Sequence, residues 1–263
     1  MKILIAGDIH GRFDLLEEAQ RNNPDCDLCL QVGDLEPVRG EDDLKELTGP
    51  DRYNKVRQFP DYWASKKTLP IETWFIGGNH EPWSLLYQHN QRHGNDPELI
   101  DNLYYFGRYG VRDINGLTIA GLSGVYGEKS YDTPSSDRLR WALGKDWFKN
   151  RRTAHFREDE VEALLEEATG RDVDILMTHC WPTPDVLEEA PGWYYSNGYG
   201  IGVIGDLAEL IEPTYHVAGH IHRAFEADYR DAKARFIACA QAGTEYRAFK
   251  NIEVQPNETD SYR

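Results

Sequence analysis

The sequence predicts an α/β fold that contains more than one β-sheet. Short apolar runs rich in β-branched and aromatic residues recur along the chain, and each ends at a glycine or a polar residue, as strands typically do. Helical stretches such as FDLLEEAQR and REDEVEALLEEA separate several of these runs, and alternating strands and helices indicate an α/β fold. Asn115-Gly116 lies between two apolar runs and predicts a hairpin, hence antiparallel pairing as well. The predicted strands are KILIAGD, LCLQVGD, TWFIGGN, LYYFG, LTIAGLSG, DILMTH, YHVAGH and RFIACAQAG.

The chain of 263 residues is long enough for one large domain with a sizeable core. No internal repeat or linker divides it, so we expect a single domain over residues 1–252 and a frayed tail over residues 253–263. Two charged stretches, residues 37–70 and 127–153, contain turn residues and predict loop insertions.

The charge balance limits which partners the surface can bind. Asp and Glu number 45 against 29 Lys and Arg, which gives a net charge of -16. Such a surface does not hold nucleic acid by charge alone, although metal ions in a cleft could still hold a nucleotide or a short RNA. Asp8 and His10 interrupt the first apolar run before a signal core could form, and no stretch is long enough to span a membrane. We therefore expect a cytoplasmic protein with no membrane partner, and the sequence indicates no protein partner.

Four cysteines include one C-x-x-C pair, Cys26 and Cys29, which invites a redox or a zinc interpretation. The pair lies in an apolar run that leads into Gly33-Asp34, and residues three apart on a strand face opposite sides. No second C-x-x-C follows. Buried thiols in a sheet are therefore the preferred interpretation.

Polar clusters follow five of the predicted strands. In open α/β sheets, sites form beyond the carboxyl ends of strands, so these clusters are expected to converge. A lone Asp or His in such a place is more often a turn residue, but five clusters together favour a metal site. Carboxylate, amide and imidazole donors suit Mn, Fe, Zn or Ni, and seven ligands fit two ions that share a carboxylate at a spacing of ~3.5–4 Å. The candidate ligands are Asp8, His10, Asp34, Asn79, His179, His220 and His222.

The elements GDIH, GDLE, GNHE, TH and GHIH, in this order, resemble the pattern of the calcineurin-like metallophosphoesterase superfamily. The resemblance implies a four-layer αββα sandwich with a two-metal centre between its sheets. It further implies that Asp34 bridges both ions and that His80 is a catalytic residue that faces the substrate. The other ligands would divide into Asp8, His10 and His222 on one ion and Asn79, His179 and His220 on the second.

Longer segments resemble the catalytic domain of RNA lariat debranching enzymes from Met1 to about Phe225. They include GDLEPVRGEDDLKEL, DILMTHCWP and LIEPTYHVAGHIH. That family typically has Cys at the position of Asp8, so Asp8 favours a fully occupied two-metal site. The family's recognition loop corresponds to about residues 127–153, which diverge here, and the resemblance stops short of its long C-terminal extension.

These patterns predict an enzyme that hydrolyses phosphate esters by a two-metal-activated hydroxide. His80 would donate a proton to the leaving oxygen or stabilise the phosphoryl charge. Arg12, near a helix start, is a candidate phosphate contact and equally a solvated surface residue. Aromatic residues in segments expected to border the cleft (Trp83, Tyr126, Trp181 and residues 192–195) could stack on bases. A phosphodiesterase acting on nucleotides or short nucleic acids is the preferred prediction.

Two alternatives stay open at this point. The first is a phosphomonoesterase, either for small molecules or of the serine/threonine protein phosphatase type, a family that also contains GDIHG and GNHE. In that family Asp-Arg-Gly follows the second motif and an arginine precedes Gly-Asn-His, whereas this chain has GDLEPVRG and Gly77 there. The second is a binding protein that has lost the chemistry, which the complete set of ligand positions disfavours.

Overall fold

Two six-stranded mixed sheets pack face to face in the computed structural model of the chain. It describes residues 1–47, 55–93, 97–138, 152–244 and 247–255. The strands are β1 (Lys2–Ala6), β2 (Leu28–Gln31), β3 (Thr73–Phe75), β4 (Glu98–Ile100), β5 (Leu103–Tyr105), β6 (Tyr109–Ile114), β7 (Leu117–Leu122), β8 (Ile175–Thr178), β9 (Tyr215–Ala218), β10 (Phe225–Asp228), β11 (Arg235–Ala238) and β12 (Phe249–Glu253). All eight apolar runs predicted to be strands form strands, at β1, β2, β3, β5, β7, β8, β9 and β11.

Each sheet has a parallel centre and antiparallel edges. The first sheet has the order β12-β1-β2-β3-β5-β4, and the second has the order β10-β11-β9-β8-β7-β6. β1, β2, β3 and β5 run parallel in the first sheet, as β7, β8, β9 and β11 do in the second. The carboxyl ends of the central strands of one sheet therefore lie at a common edge, where loops can carry a site.

Alternate residues of the central strands contribute to two different cores. In β1, Ile3 and Ile5 belong to a cluster that also contains Ile175 and Val217 of the second sheet, so this cluster lies between the sheets. Leu4 belongs to the larger cluster in which the sheets pack against helices. Burial on both faces explains why these strands read as continuous apolar runs. The helices are α1 (Phe13–Asn22), α2 (Glu41–Leu44), α3 (Phe59–Trp63), α4 (Trp83–His93), α5 (Glu128–Tyr131), α6 (Glu158–Ala168), α7 (Gly192–Asn197) and α8 (Gly202–Ile211).

Helices on both outer faces of the two sheets make the fold a four-layer αββα sandwich, as predicted. The predicted hairpin is also present, because β6 and β7 pair antiparallel with Ile114 opposite Leu117. Asn115 and Gly116 both have positive φ angles, of 52° and 84°. Two positive φ angles are characteristic of the type I′ turn that Asn-Gly favours in two-residue hairpins.

The cysteines are all free and buried, as expected of thiols in a core. The prediction that Cys26 and Cys29 face opposite sides of a strand was wrong, however. β2 begins at Leu28, so Cys26 precedes the strand, and the alternation of faces along a strand does not apply to it. Cys26 and Cys29 both belong to the cluster that packs against helices.

The predicted boundary between the domain and its tail, at residue 252, falls within described structure. β12 runs to Glu253, and the backbone of the buried Val254 pairs with that of Met1, so ordered structure extends past residue 252. Residues 256–263 of the predicted tail lie outside the described residues, as do residues 48–54 and 139–151 of the two predicted insertions. Among the helices that are described, none is both long and apolar enough to cross a membrane.

Candidate metal centre

The polar clusters converge at the carboxyl ends of five strands, three in the first sheet and two in the second. β1, β2 and β3 are neighbours, and so are β8 and β9, so the two sets of strand ends face each other across the gap between the sheets. Asp8 and Asp34 are buried there together with His10 and His179. His222 keeps 40% of its side chain exposed and forms the solvent side of the centre.

Among the described residues, three groups of side chains could each hold an ion, and Asp34 belongs to two of them; the third consists of His10, Glu36 and His80. The atoms of Asp8, His10, Asp34 and His222 lie within 4.8 Å of one another, and so do those of Asp34, His179 and His220. His222 Nε2 is 3.0 Å from Asp8 Oδ2, and His179 Nε2 is 3.4 Å from Asp34 Oδ2. Two groups with one common carboxylate match the arrangement in which two cations share a bridging ligand.

Hydrogen bonds orient two of the imidazoles toward these groups. His10 Nδ1 is 2.5 Å from Glu36 Oε1, and His179 Nδ1 is 2.7 Å from the Val32 carbonyl oxygen. An acceptor at Nδ1 places the ring proton there and leaves the Nε2 lone pair available for a cation. The Nε2 atom of His179 is buried and makes no hydrogen bond within the described residues, which fits a metal ligand.

The electrostatics of the centre also fit cations. Burial lowers the pKa of His10, but the Glu36 hydrogen bond and nearby carboxylates outweigh it, and the pKa is raised to about 10. Burial likewise lowers the pKa of His179, but the Asp34 charge outweighs it and raises the pKa to about 9. Burial lowers the pKa of His220 to about 4, so that ring is neutral and ready to act as a ligand. The surplus of buried negative charge holds protons on His10 and His179, and divalent cations would replace those protons.

Strained backbone is concentrated at this centre. Five non-glycine residues in the loops after β1, β2 and β9 have φ between 45° and 72°, in the left-handed region that favours glycine. Such conformations cost about 1–3 kcal/mol each and persist where the surroundings enforce them, often at functional sites. These residues are His10, Asp34, Glu36, His220 and His222.

Of the remaining sequence-predicted residues, Asn79 and His80 lie in or next to the centre. Asn79 and His80 are half-buried after β3, and the His80 backbone N–H donates to Asp34 Oδ1 at 2.8 Å. The His80 ring meets that of His10 edge to face, with 5.1 Å between the ring centres. Arg12 instead makes a two-bond ion pair with Asp14, at 3.1 Å for both contacts. Its role as a phosphate contact stays a prediction, and it would have to share its guanidinium with Asp14.

Sequence reasoning missed two glutamates that organise the centre. The buried Glu36 carboxylate holds His10 and lies 3.8 Å from His80 Nδ1. The buried Glu81 carboxylate accepts the backbone N–H groups of Leu35, Glu36 and Gly78 at 2.9–3.2 Å, and thereby ties the loop after β2 to the loop after β3. Both glutamates could be seen in the sequence as the last residues of the GDLE and GNHE elements. Their role depends, however, on how the two loops turn.

Gly78 allows the loop after β3 to lie close against Asp34 and His179. A Cβ atom at this position would overlap Asp34 Oδ1 and lie 2.7 Å from His179 Nε2. We expect Gly78→Ala to displace both side chains and weaken Mn²⁺ binding by about 10–100-fold, as loss of a supporting contact does in metal sites.

Isothermal titration of Mn²⁺ into wild type and variant measures this effect. Gly192→Ala is the matched control, because a Cβ there would meet no atom within 4 Å. Wild-type affinity in Gly78→Ala would contradict the packing argument.

Comparison with known proteins agrees with this geometry. The model of the calcineurin-like phosphoesterase family matches residues 1–224. A lariat debranching enzyme from Arabidopsis thaliana is 29% identical over 97% of this chain and 64% of its own length. Lariat debranching enzyme A of Xenopus laevis is 31% identical over 86% of this chain and 44% of its own length, and the Homo sapiens enzyme is 30% identical over 86% and 43%. The chain thus spans less than two thirds of the length of these curated relatives.

Solved structures share the fold at low sequence identity. A dimetal phosphatase from Danio rerio has a TM-score of 0.50 at 14% identity, covering 92% of this chain and 87% of its own. A phosphopantetheinyl hydrolase from Mycobacterium tuberculosis has a TM-score of 0.50 at 14% identity, covering 97% and 96%. These likenesses bear on the fold, and the family match covers most of the chain together with all five motifs. The chain therefore belongs to the calcineurin-like phosphoesterase family.

Proposed function

We propose that this chain is a metal-dependent phosphodiesterase that hydrolyses nucleotide or short nucleic-acid diesters. The observation that carries the proposal is the pair of ligand groups that share Asp34, with His80 beside them. The curated relatives that it matches are lariat debranching enzymes, which supports a diester rather than a monoester. The family membership supports hydrolysis of phosphate esters over a binding role.

Seven residues would hold the ions in this proposal. Asp8, His10 and His222 would hold one ion, Asn79, His179 and His220 the second, and Asp34 both. The mixture of imidazole and carboxylate favours Mn, Fe or Zn. When bound, two divalent cations would offset the charge of the phosphoryl group and supply a nucleophile from water near neutral pH.

The protein's own groups would orient the metal ligands and protonate the leaving group. Glu36 and the Val32 carbonyl hold the imidazoles of His10 and His179 in fixed orientations, which lowers the reorganisation needed during reaction. The His80 ring, which lies next to this centre and 3.8 Å from Glu36, would donate a proton to the leaving oxygen or stabilise the phosphoryl charge.

Fewer aromatic rings are available for base stacking than the sequence suggested. Trp83 and Trp181 are buried in the helix-facing core, so they cannot present a face to a base. Tyr126 and Trp193 are half-buried, and Tyr195 is 49% exposed. The stacking proposal is therefore restricted to these three rings.

The cysteines bear on the proposed location. All four are free and buried, and unpaired thiols are usual in reducing compartments. This pattern supports a cytoplasmic enzyme.

A substrate panel tests the proposed function. The Mn²⁺-loaded protein is assayed on 2′-5′ and 3′-5′ linked dinucleotides, cyclic nucleotides, nucleoside monophosphates and a phosphopeptide. We expect a dinucleotide to be cleaved at least about tenfold faster than any monoester, a barrier difference of about 1.4 kcal/mol. Asp34→Asn protein purified in parallel controls for contaminating phosphatases.

The outcome also ranks the alternatives. Fastest cleavage of a monophosphate or the phosphopeptide would contradict the proposal and favour a phosphomonoesterase. Strong selectivity for the 2′-5′ linkage would identify branched RNA as the substrate class.

A further inference from the structure

A cavity of about 350 Å³ lies beside the metal centre, where the edges of the two sheets approach each other. β10 and β11 of the second sheet form one side, and the start of β12 in the first sheet forms the other. Its volume lies within the range of about 300–1,000 Å³ that small-molecule sites occupy. The lining residues are Ala224, Phe225, Glu226, Ile237, Ala238, Cys239, Arg247 and Lys250.

Short connections join this cavity to the metal centre. Ala224 follows His222 by two residues, so their Cα atoms are at most about 7.6 Å apart, since neighbouring Cα atoms are about 3.8 Å apart. On the other side, the Gly7 N–H donates to the Ala248 carbonyl at 2.7 Å, next to Asp8 in sequence. A substrate with its scissile phosphate at the metal centre can therefore place an adjoining unit in the cavity.

The lining combines apolar side chains with a surplus of positive charge. Arg247 and Lys250 contribute two cations and Glu226 one carboxylate, so the lining carries a net positive charge on a chain of net charge -16. Glu226 makes ion pairs with Lys250 and with Arg235, which fixes its carboxylate and the Lys250 ammonium. Arginine is the residue best suited to bind a phosphate through two parallel hydrogen bonds.

We infer that this cavity binds a second, non-scissile phosphate and its attached sugar, from the nucleotide next to the bond that is cut. Arg247 contacts that phosphate, and the half-buried Ala224 and Phe225 of the lining pack against the sugar. This inference rests on the proposed phosphodiesterase function, since it names a part of the same substrate. It gives the enzyme a preference for diesters that carry a neighbouring phosphate, which the metal centre alone does not provide.

Matched substrates test the preference. KM is measured for the dinucleotide ApA and for the same dinucleotide carrying a terminal phosphate at its 5′ or its 3′ end. We expect wild-type KM to be about tenfold lower for one phosphorylated form, as a charge-assisted hydrogen bond would provide. Arg247→Ala should bring the ratio of the two KM values close to one, and Arg247→Lys should give an intermediate ratio. Lys233→Ala is the control, because this lysine lies outside the cavity, in a groove at the ends of α6 and α8.

Direct binding separates a failure of this inference from a failure of the proposed function. Calorimetry compares adenosine 3′,5′-bisphosphate with adenosine 5′-monophosphate on the Mn²⁺-loaded protein, and the bisphosphate should bind about tenfold more tightly. That advantage should disappear in Arg247→Ala and persist in Lys233→Ala. Diester hydrolysis without any effect of the second phosphate, or an advantage that survives Arg247→Ala, would overturn the cavity assignment alone. Absence of diester hydrolysis would overturn the proposed function, and the binding advantage would still decide whether Arg247 holds a phosphate.

Discussion

Asp34→Asn is expected to abolish diester hydrolysis and to reduce the amount of bound metal. Asp34 Oδ2 lies 3.4 Å from His179 Nε2 and 3.9 Å from His10 Nε2, so the carboxylate adjoins ligands of both groups. Asparagine keeps the shape and can still accept the His80 N–H, which now reaches Asp34 Oδ1 at 2.8 Å. It removes the negative charge and replaces one ligand oxygen by an amide NH₂, which cannot coordinate a cation. Both ion sites should therefore weaken together.

Metal analysis after gel filtration and hydrolysis of a chromogenic diester at saturating Mn²⁺ measure the two effects. Wild type should hold about two ions per chain, as a shared-carboxylate centre requires. Asp42→Asn is the matched control, because its carboxylate is 98% exposed and pairs with Lys45 on the surface. Two ions retained in Asp34→Asn would contradict the bridging role, and a single ion in saturated wild type would contradict the two-ion assignment itself.

The sequence predicted the centre of each sheet better than its edges. The eight recognised runs include every central strand, because burial on both faces makes such strands continuously apolar. The eight runs leave out the four edge strands, β4, β6, β10 and β12, and of these β6 was predicted through the Asn-Gly hairpin signal. Most side chains of β10 and β12 are half-buried or exposed and several are charged, so these strands carry no continuous apolar signal.

The residues of the candidate site were likewise predicted only in part from the sequence. Ligand types and their places after strands could be recognised in the sequence because parallel strands bring their carboxyl ends together. The roles of Glu36 and Glu81 could not, because they depend on loops in which Asp34 and Glu36 adopt left-handed backbone conformations. The sequence also does not show whether a tryptophan faces a cleft or a core, and Trp181 is fully buried in the structure.

His80→Ala is expected to lower turnover while leaving the metal content near that of wild type. The His80 contact to Asp34 runs through the backbone N–H, which alanine retains, so the variant should disturb the ligand groups little. What is lost is the imidazole, whose Nδ1 lies 3.8 Å from Glu36 Oε1 and which would be the proton donor in the proposed function. A positioned general acid contributes about 10²–10⁴-fold, so kcat on a dinucleotide should fall by that factor.

The leaving group and a second variant distinguish the two roles open to His80. Nitrophenolate needs little protonation, so His80→Ala should lose much less kcat on a nitrophenyl diester than on a dinucleotide if the imidazole acts as an acid. His80→Asn keeps a hydrogen-bond donor that cannot transfer a proton. Under the acid role it should remain as slow as alanine on the dinucleotide, whereas under pure charge stabilisation it should recover part of the loss on both substrates. A dinucleotide loss below about tenfold in His80→Ala, with metal content intact, would remove His80 from the catalytic machinery.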